Sequence, residues 1–248
     1  PRAGYFNGMR QAGHELTLAV TRPRVLRLDD LDAFITAAFG EDAGYPPLQP
    51  GGAGRDPDDF RSWIERALWV AVLIQNAARL PVFELARIVA LDPVPNRASD
   101  FTLHVTVAAV DCVPLKLVVG AHQSAFALVH WATKHYPTHA DIEPLLRNLE
   151  TIVVSPLQRL FGPGVSTMPI LREAFKQNIP FRHLGAGVFQ LGWGRHARRL
   201  DRSALDVDSS IGSKIAQRKD WTAQVLRSAG LPVPKHAVVA NEQQALAA

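Results

Sequence analysis

The sequence predicts a mixed α/β (α+β) protein, with a small layered amino-terminal domain over residues 1–160 and a second region over residues 161–248. Two features indicate this fold class. Residues 101–110 (FTLHVTVAAV) alternate between apolar and polar side chains, which is typical of a strand with one buried face. Residues 60–79 repeat apolar side chains every three or four positions, which is typical of a helix. A chain that mixes such elements buries their apolar faces in layers.

The first elements are a pair of strands and two helices. Residues 16–20 (LTLAV) and 25–28 (VLRL) are predicted strands. A helix is predicted from Asp29, because acidic residues fill its first turn. Residues 40–59 are rich in glycine and proline and are predicted to be a loop. The long helix after this loop is expected to end before Pro81, which has no N–H to donate.

A hairpin and two further helices complete the predicted first domain. A strand is expected at residues 84–91. Residues 101–110 and 115–119 (LKLVV) are predicted to pair as a hairpin. Helices are expected at residues 123–135 and 141–161, so the domain boundary is placed near residue 160.

The second region begins with a predicted helix at residues 166–177. Residues 188–194 (VFQLGWG) and 195–201 (RHARRLD) are predicted short strands around a turn. A helix is predicted at residues 211–228, and residues 236–240 (HAVVA) begin a predicted strand.

Composition excludes several classes of protein. With 47% hydrophobic and 20% charged residues, disorder, collagen and coiled coil are poor fits. No apolar run reaches the roughly 18–20 residues of a membrane-spanning helix, and no signal peptide is recognisable. We therefore expect a cytoplasmic protein without a membrane partner. The single cysteine, Cys112, cannot form an internal disulfide and is predicted to be a small buried apolar residue.

The net charge of +4 is mildly basic and does not by itself predict nucleic-acid binding. It would suit an acidic partner, such as a nucleotide or an aspartate-rich polymer. A solvated basic surface explains the same charge equally well.

Three segments, in order, resemble one enzyme family. Residues 166–180 (STMPILREAFKQNIP) resemble the helix ending in Ile-Pro that precedes the ATP-grasp module of cyanophycin synthetases. Residues 188–200 (VFQLGWGRHARRL) are similar to the family's Val-Gln-Leu-Gly-Tyr-Gly followed by a basic strand. Residues 215–234 (IAQRKDWTAQVLRSAGLPVP) are similar to the family's helix before a Pro-Val-Pro turn. Together they suggest the amino-terminal portion of a cyanophycin-synthetase-like ATP-grasp ligase.

The resemblance implies an ATP-dependent reaction. In the family a carboxylate is phosphorylated and an amine attacks the acyl phosphate, which extends a polyaspartate backbone and attaches arginine to it. ATP and Mg²⁺ are the implied cofactors. The implied partners are a nucleotide and an amino acid or acidic peptide polymer. Family order places the phosphate loop and the Mg²⁺ ligands after Ala248, so this chain alone is not expected to turn over.

A metal site that many family members carry is absent from the long helix. Their helix contains His-x-x-Glu-His, which puts two ligands on one helical face. The matching positions here hold Glu65, Leu68 and Trp69, so we expect no metal there and interpret the helix as core.

Lys219 is the one predicted binding residue. The resemblance implies that a lysine here contacts nucleotide phosphate, and an ammonium group is a point charge that offsets phosphate charge. Arg218 stands where the family has aspartate, so the local charge differs. A solvated lysine on a basic helix face is the alternative interpretation.

Other candidate residues have competing interpretations. Gly192 and Gly194 flank Trp193 and permit a tight backbone path, as a turn between strands or a binding loop. A basic cluster could face an acidic polymer or phosphate, or be a solvated strand edge: Arg195, His196, Arg198, Arg199 and Arg202. Asp206 and Asp208 are expected to be loop residues rather than metal ligands.

Three functions remain open on the sequence. The first is a ligase fragment, and the second is a non-catalytic module that binds a substrate or partner. The third is a nucleic-acid binder, supported only by the pI of about 9.5, and we expect no such binding at near-physiological salt.

Overall fold

The computed structural model describes residues 8–43, 60–111, 113–137, 142–160 and 165–247. Its contacts divide the chain into two compact units, Pro1–Ser203 and Ala204–Ala248. Helices and antiparallel sheets together confirm the predicted mixed α/β class. The predicted boundary near residue 160 separates two proposed domains, whereas the two units are defined by contacts alone. The domain boundary therefore stays a prediction. Within the described ranges, no helix is both long and apolar enough to cross a membrane.

The first sheet has three antiparallel strands in the order β1-β3-β2. Strand β1 is Gly13–Thr21, β2 is Arg87–Val94 and β3 is Arg97–Ala108. Leu16, Leu18 and Val20 are buried, whereas the residues between them are exposed. The sheet therefore buries one face, as the alternation in the sequence predicts.

Three long helices pack with this sheet. Helix α1 is Leu28–Phe39, α2 is Phe60–Ala77 and α3 is Leu115–His135. The Phe60 ring of α2 lies 5.0 Å from the Phe101 ring of β3. The Phe34 ring of α1 lies 6.3 Å from the Trp131 ring of α3. The Trp63 ring of α2 lies 5.9 Å from the Phe126 ring of α3, so these contacts connect all three helices and β3 in the principal core of the first unit.

An ion pair between a buried arginine and a partly exposed aspartate joins α1 to α2. The Arg66 guanidinium, only 3% exposed, donates two hydrogen bonds to the Asp32 carboxylate, at 2.6 and 2.7 Å. A third hydrogen bond runs from Arg66 Nη1 to the Ser62 carbonyl at 3.1 Å. Such bidentate geometry satisfies a charge that would otherwise be costly to bury.

After α3 the chain continues as α4 (Glu143–Leu149), a π-helical turn (Glu150–Val154) and α5 (Ser155–Leu160). Helix α6 (Thr167–Lys176) then leads into a second sheet. Its strands β4 (Phe181–Gly185), β5 (Val188–Leu191) and β6 (Arg198–Asp201) lie antiparallel in that order.

Helix α6 and strand β4 pack onto the start of the chain. The Phe83 ring lies 5.8 Å from the Phe175 ring and 6.0 Å from the Phe181 ring. The Arg10 guanidinium lies 3.7 Å from the centre of the Phe175 ring and donates to Asn178 Oδ1 at 2.8 Å. These contacts place α6 and β4 in the same unit as the first sheet.

Gln11 and Glu84 bind each other's backbone beside this contact. The Glu84 carboxylate accepts hydrogen bonds from the N–H groups of Arg10 and Gln11, at 2.6 and 2.9 Å. The Gln11 side-chain oxygen Oε1 accepts from the N–H groups of Phe83 and Glu84, at 2.7 and 2.9 Å. Four hydrogen bonds therefore join the segment before β1 to the segment before β2.

The second unit contains β7 (Ala204–Leu205), α7 (Ser210–Gln217), α8 (Lys219–Ser228) and α9 (Glu242–Ala247). The predicted single helix at residues 211–228 is wrong, since Arg218 leaves helical geometry with φ −113° and ψ 111°. The strand predicted at residues 236–240 is also wrong, because that stretch has no ladder partner in the described chain.

Two predictions in the first unit fail as well. Residues 115–119 are not a strand but the first turns of α3, which starts directly after Pro114. The hairpin partner of β3 is instead β2, across a turn at Asn96 with φ 63°. Residues 25–28 are not a strand either, because α1 already begins at Leu28. Residues 44–59 of the loop predicted at residues 40–59 lie outside the described residues, as does Cys112, and Glu41–Ala43 form a 3-10 turn.

Candidate functional site

Local hydrogen bonds set the position at which α8 begins. The Ser209 hydroxyl caps α7 by accepting from the Gly212 N–H at 3.1 Å. After the break at Arg218, the Thr222 hydroxyl donates to the Ile215 carbonyl at 2.8 Å. This bond ties the first turn of α8 to the end of α7, and it leaves Lys219 as the first residue of α8.

Arg218 pairs with the aspartate on the far side of Lys219. Its guanidinium donates to both Asp220 carboxylate oxygens, at 3.1 and 2.7 Å, and lies 4.5 Å from the centre of the Trp221 ring. The hydrogen bond from Arg218 lowers the pKa of the Asp220 carboxyl, which keeps it ionised. The charges of Arg218 and Asp220 therefore offset each other.

Lys219 is left as the uncompensated cation of this turn. Its side chain is exposed, and the ion pairs among the described residues do not include its ammonium group. It also stands at the amino-terminal end of α8, where unpaired N–H groups favour negative charge. Chemically, this position can attract an anion such as a phosphate.

Of the two aspartates before α7, Asp208 has a structural role. The Asp208 carboxylate accepts a hydrogen bond from the Leu205 N–H at 2.7 Å and so closes a turn. Across the described ranges, no group of three or more His, Cys, Asp or Glu side chains is arranged to hold a metal ion. The described residues therefore do not form a site that fits Mg²⁺.

The long helix α2 uses the three positions noted in the sequence for packing and surface pairing. Glu65 forms an ion pair with Arg61 at 3.3 Å, and Leu68 is buried. The Trp69 indole N–H donates to the Ala43 carbonyl at 2.8 Å. All three side chains have ordinary structural contacts.

Strand register brings Arg182 next to the basic cluster. Arg182 of β4 lies opposite Gln190 of β5, and Gln190 lies opposite Arg199 of β6. Neighbouring strands are about 4.8 Å apart, so the two arginine Cα atoms are separated by about 10 Å. Both side chains are exposed, while Phe189 and Leu200 are buried by the opposite face. The sequence did not suggest Arg182, because only the pairing of β4 with β5 moves it there.

We call this region the cationic surface, defined by five exposed arginines on and beside β4 and β6, of which Arg182 and Arg199 share one face of the sheet: Arg182, Arg195, Arg198, Arg199 and Arg202. No described carboxylate forms an ion pair with any of them. Arg195 donates to the His196 ring at 2.9 Å, and Arg198 donates to the Ala197 carbonyl at 3.0 Å. Most of its positive charge therefore faces solvent.

The turn between β5 and β6 carries an exposed tryptophan. Gly192 and Gly194 adopt φ values of 72° and 62°, which glycine tolerates best. The Gly192 N–H donates to the Pro180 carbonyl at 2.7 Å and so fixes the turn. Trp193 between them is 45% exposed. Tryptophan and arginine are enriched in binding surfaces relative to the rest of a protein surface.

His183 is a buried histidine that the sequence did not single out. The Gly187 N–H donates to its Nε2 at 3.1 Å, so the proton resides on Nδ1, which donates to the Asp111 carbonyl at 3.2 Å. Burial lowers the pKa of His183 and favours this neutral form. Both ring nitrogens are occupied, so His183 fixes the β4–β5 turn rather than acting as a base.

Comparison with known proteins identifies one group of relatives. A cyanophycin synthetase from Trichormus variabilis is 35% identical over 105 residues, which is 42% of this chain and 11% of that relative. The chain is related to cyanophycin synthetases. A Nostoc cyanophycin synthetase matches over the same lengths, and one from Crocosphaera subtropica is 34% identical over 80 residues.

The chain therefore matches about a tenth of the length of these cyanophycin synthetases. No protein-family model matches it. The relationship to cyanophycin synthetases agrees with the three motifs found in the sequence.

Proposed function

We propose that this chain is an amino-terminal part of an ATP-dependent carboxylate–amine ligase resembling cyanophycin synthetase, and that it acts in the cytoplasm. The relatives support the ligase class, since they are named as synthetases of this kind. The observation that carries the proposal is the exposed and unpaired ammonium group of Lys219 at the start of α8.

In this reaction class ATP supplies the phosphoryl group that turns a carboxylate into an acyl phosphate, which an amine then displaces. Lys219 would contact a phosphate oxygen and offset its charge. Arg218 is held by Asp220 and by the Trp221 ring, so its charge does not compete with that of Lys219 for the same anion. The substitution of the family's aspartate by Arg218 is in this way balanced two residues later.

Magnesium belongs to the same reaction class, but the described residues offer no cluster to hold it. Its ligands would have to come from other residues, and we derive no step from it. Catalytic groups are likewise not assigned to this chain. Its proposed contribution is phosphate binding, together with the packed unit that precedes it.

The test is titration calorimetry of ATP with Mg²⁺ into the complete gene product. Lys219→Ala should weaken ATP binding by about tenfold or more, because a hydrogen bond to a charged group contributes about 1.5–3 kcal/mol. Lys214→Ala removes an exposed lysine of the neighbouring helix and should leave the affinity unchanged. Equal affinity for the Lys219→Ala variant and the unmodified protein would contradict the proposal.

A second function, a non-catalytic module that binds a substrate or partner, is favoured by the cationic surface. Its five arginines have no described carboxylate partner, and the planar guanidinium suits carboxylates. In a polyproline II peptide, which has three residues per turn and a rise of about 3.1 Å, residues three apart lie on one side about 9 Å apart, close to the spacing of Arg182 and Arg199. The partner proposed for this surface is an acidic peptide polymer.

Binding of poly-aspartate at near-physiological salt tests this second function. The double variant Arg182→Gln/Arg199→Gln should bind at least about tenfold more weakly, since two charge-assisted contacts are lost. Arg147→Gln, which removes an exposed arginine of α4, should have no effect. Random-sequence DNA should not bind under these conditions. Similar affinities for DNA and poly-aspartate would indicate non-specific charge attraction instead.

A further inference from the structure

The two edge strands of the first sheet differ in how they are protected. Strand β2 has register shifts between Ile88 and Ala90 and between Pro93 and Val94, and it contains a proline. Irregularities and prolines of this kind prevent an edge from pairing with another chain. Strand β1 runs for nine residues in unbroken register with β3 and contains neither proline nor lysine.

Backbone hydrogen bonds show which residues of β1 face outward. The Ala109 N–H donates to the Ala12 carbonyl at 2.8 Å, and the Arg22 N–H donates to the Ser99 carbonyl at 2.7 Å, at the two ends of the ladder. Because hydrogen-bonded pairs alternate along an antiparallel ladder, the even-numbered residues of β1 bond to β3. The backbone groups of odd-numbered residues, including Thr17 and Ala19, point away from β3.

Among the described residues, β3 is the only strand that pairs with β1. We propose that the open edge of β1 binds β1 of a second copy of this chain, antiparallel, with a two-fold axis at Thr17. Thr17 is the midpoint of Gly13–Thr21, so this register pairs all nine residues of both strands. About ten backbone hydrogen bonds would join the two sheets into one of six strands.

The side chains are compatible with this register. Even-numbered residues pair with even-numbered ones, so Leu16 lies beside Leu18 of the second copy on the buried face of the joined sheet. On the exposed face, Glu15 lies opposite Ala19 of the second copy, so like charges do not meet. This self-complementarity favours a second copy over a foreign strand. The proposal is independent of nucleotide or polymer binding.

Sedimentation of the 248-residue chain between about 1 and 300 µM, combined with hydrogen exchange resolved to single amides, tests this interface. We expect a concentration-dependent dimer in which the Thr17 and Ala19 amides exchange about a hundredfold more slowly than in the monomer. The Leu16 and Leu18 amides, which face β3, should be protected in both states.

Three variants at Thr17 distinguish edge pairing from other causes. Thr17→Pro removes an outward N–H and leaves the ladder to β3 intact, so it should abolish the dimer. Thr17→Lys should also abolish it, because two lysines would meet at the axis. Thr17→Val keeps the N–H but loses the hydroxyl contact with His104, and should still dimerise. A chain that stays monomeric throughout, or a dimer with fast exchange at Thr17 and Ala19, would overturn the proposal.

Discussion

The two units of the chain differ in how much apolar surface they bury. In Pro1–Ser203 whole faces of helices are buried, and Ile64, Ala67 and Ile74 of α2 have no exposed surface. In the described part of Ala204–Ala248, Ala223 is the single buried apolar residue. Large apolar side chains such as Ile211, 70% exposed, lie instead on its surface.

The two units therefore stabilise their helices in different ways. The helices of the first unit are stabilised by tertiary packing, which is the main source of helix stability in proteins. Helices α7 and α8 have only eight and ten residues, and helices this short are marginal in water when isolated. The Ser209 cap, the Arg218–Asp220 pair and the Thr222 hydrogen bond are local contacts that supplement the limited packing of these two helices.

Removing the Asp32 carboxylate that binds Arg66 should cause the largest loss of stability in the first unit. Asp32→Ala removes two hydrogen bonds from the buried Arg66 guanidinium, each worth about 1.5–3 kcal/mol, and should lower the free energy of unfolding by about 3–5 kcal/mol. Asp30→Ala removes a more exposed acid of the same helix, and should cost less than about 1 kcal/mol. Urea denaturation measures both. Equal losses would mean that the pair between α1 and α2 is not a major source of stability.

The same substitution placed in each unit tests the contrast directly. Ile64→Ala creates a cavity in the first core and should lower the free energy of unfolding by about 2–5 kcal/mol. Ile211→Ala removes an exposed side chain and should change it by no more than about 0.5 kcal/mol. Thermal and urea unfolding provide the comparison. A large loss for Ile211→Ala would show that the second unit has an apolar core after all.

Acid should weaken the first unit by a smaller amount. Burial lowers the pKa of His122 below its ordinary value of 6.5, so the unfolded chain binds a proton there more readily than the folded one. The contribution of neutral His122 to the free energy of unfolding is complete above pH 6.5. Below that pH the free energy of unfolding decreases by up to about 1.4 kcal/mol per pH unit because of this one group. His122→Leu should reduce the slope measured by unfolding between pH 7 and pH 5. An unchanged slope would assign the acid sensitivity to other groups.

The sequence predicted the elements whose pattern is local and strong. Helix α2 and strand β1 were predicted because apolar residues recur at the period that each buried face requires. Lys219 was found through a resemblance rather than through its pattern, and its exposure is a property of the fold. Its role in phosphate binding stays a prediction.

Tertiary context decided the elements that were predicted wrongly. Residues 115–119 contain the β-branched pair Val118–Val119, which favours a strand, yet Val118 lies on the buried face of helix α3. The short apolar run at residues 236–240 needs a neighbouring strand, and a single segment cannot indicate whether one exists. Arg182 joined the cationic surface only through the pairing of β4, β5 and β6.

The Phe83, Phe175 and Phe181 rings meet across the point where the sequence suggested a cut between domains. A protein divided at residue 160 would leave Phe83 on one piece and the other two rings on the second. Arg10 would also lose Asn178 and the Phe175 ring. Each piece would then expose apolar aromatic surface that is prone to association. The two pieces should therefore be produced together, and a truncated protein should not end between these rings.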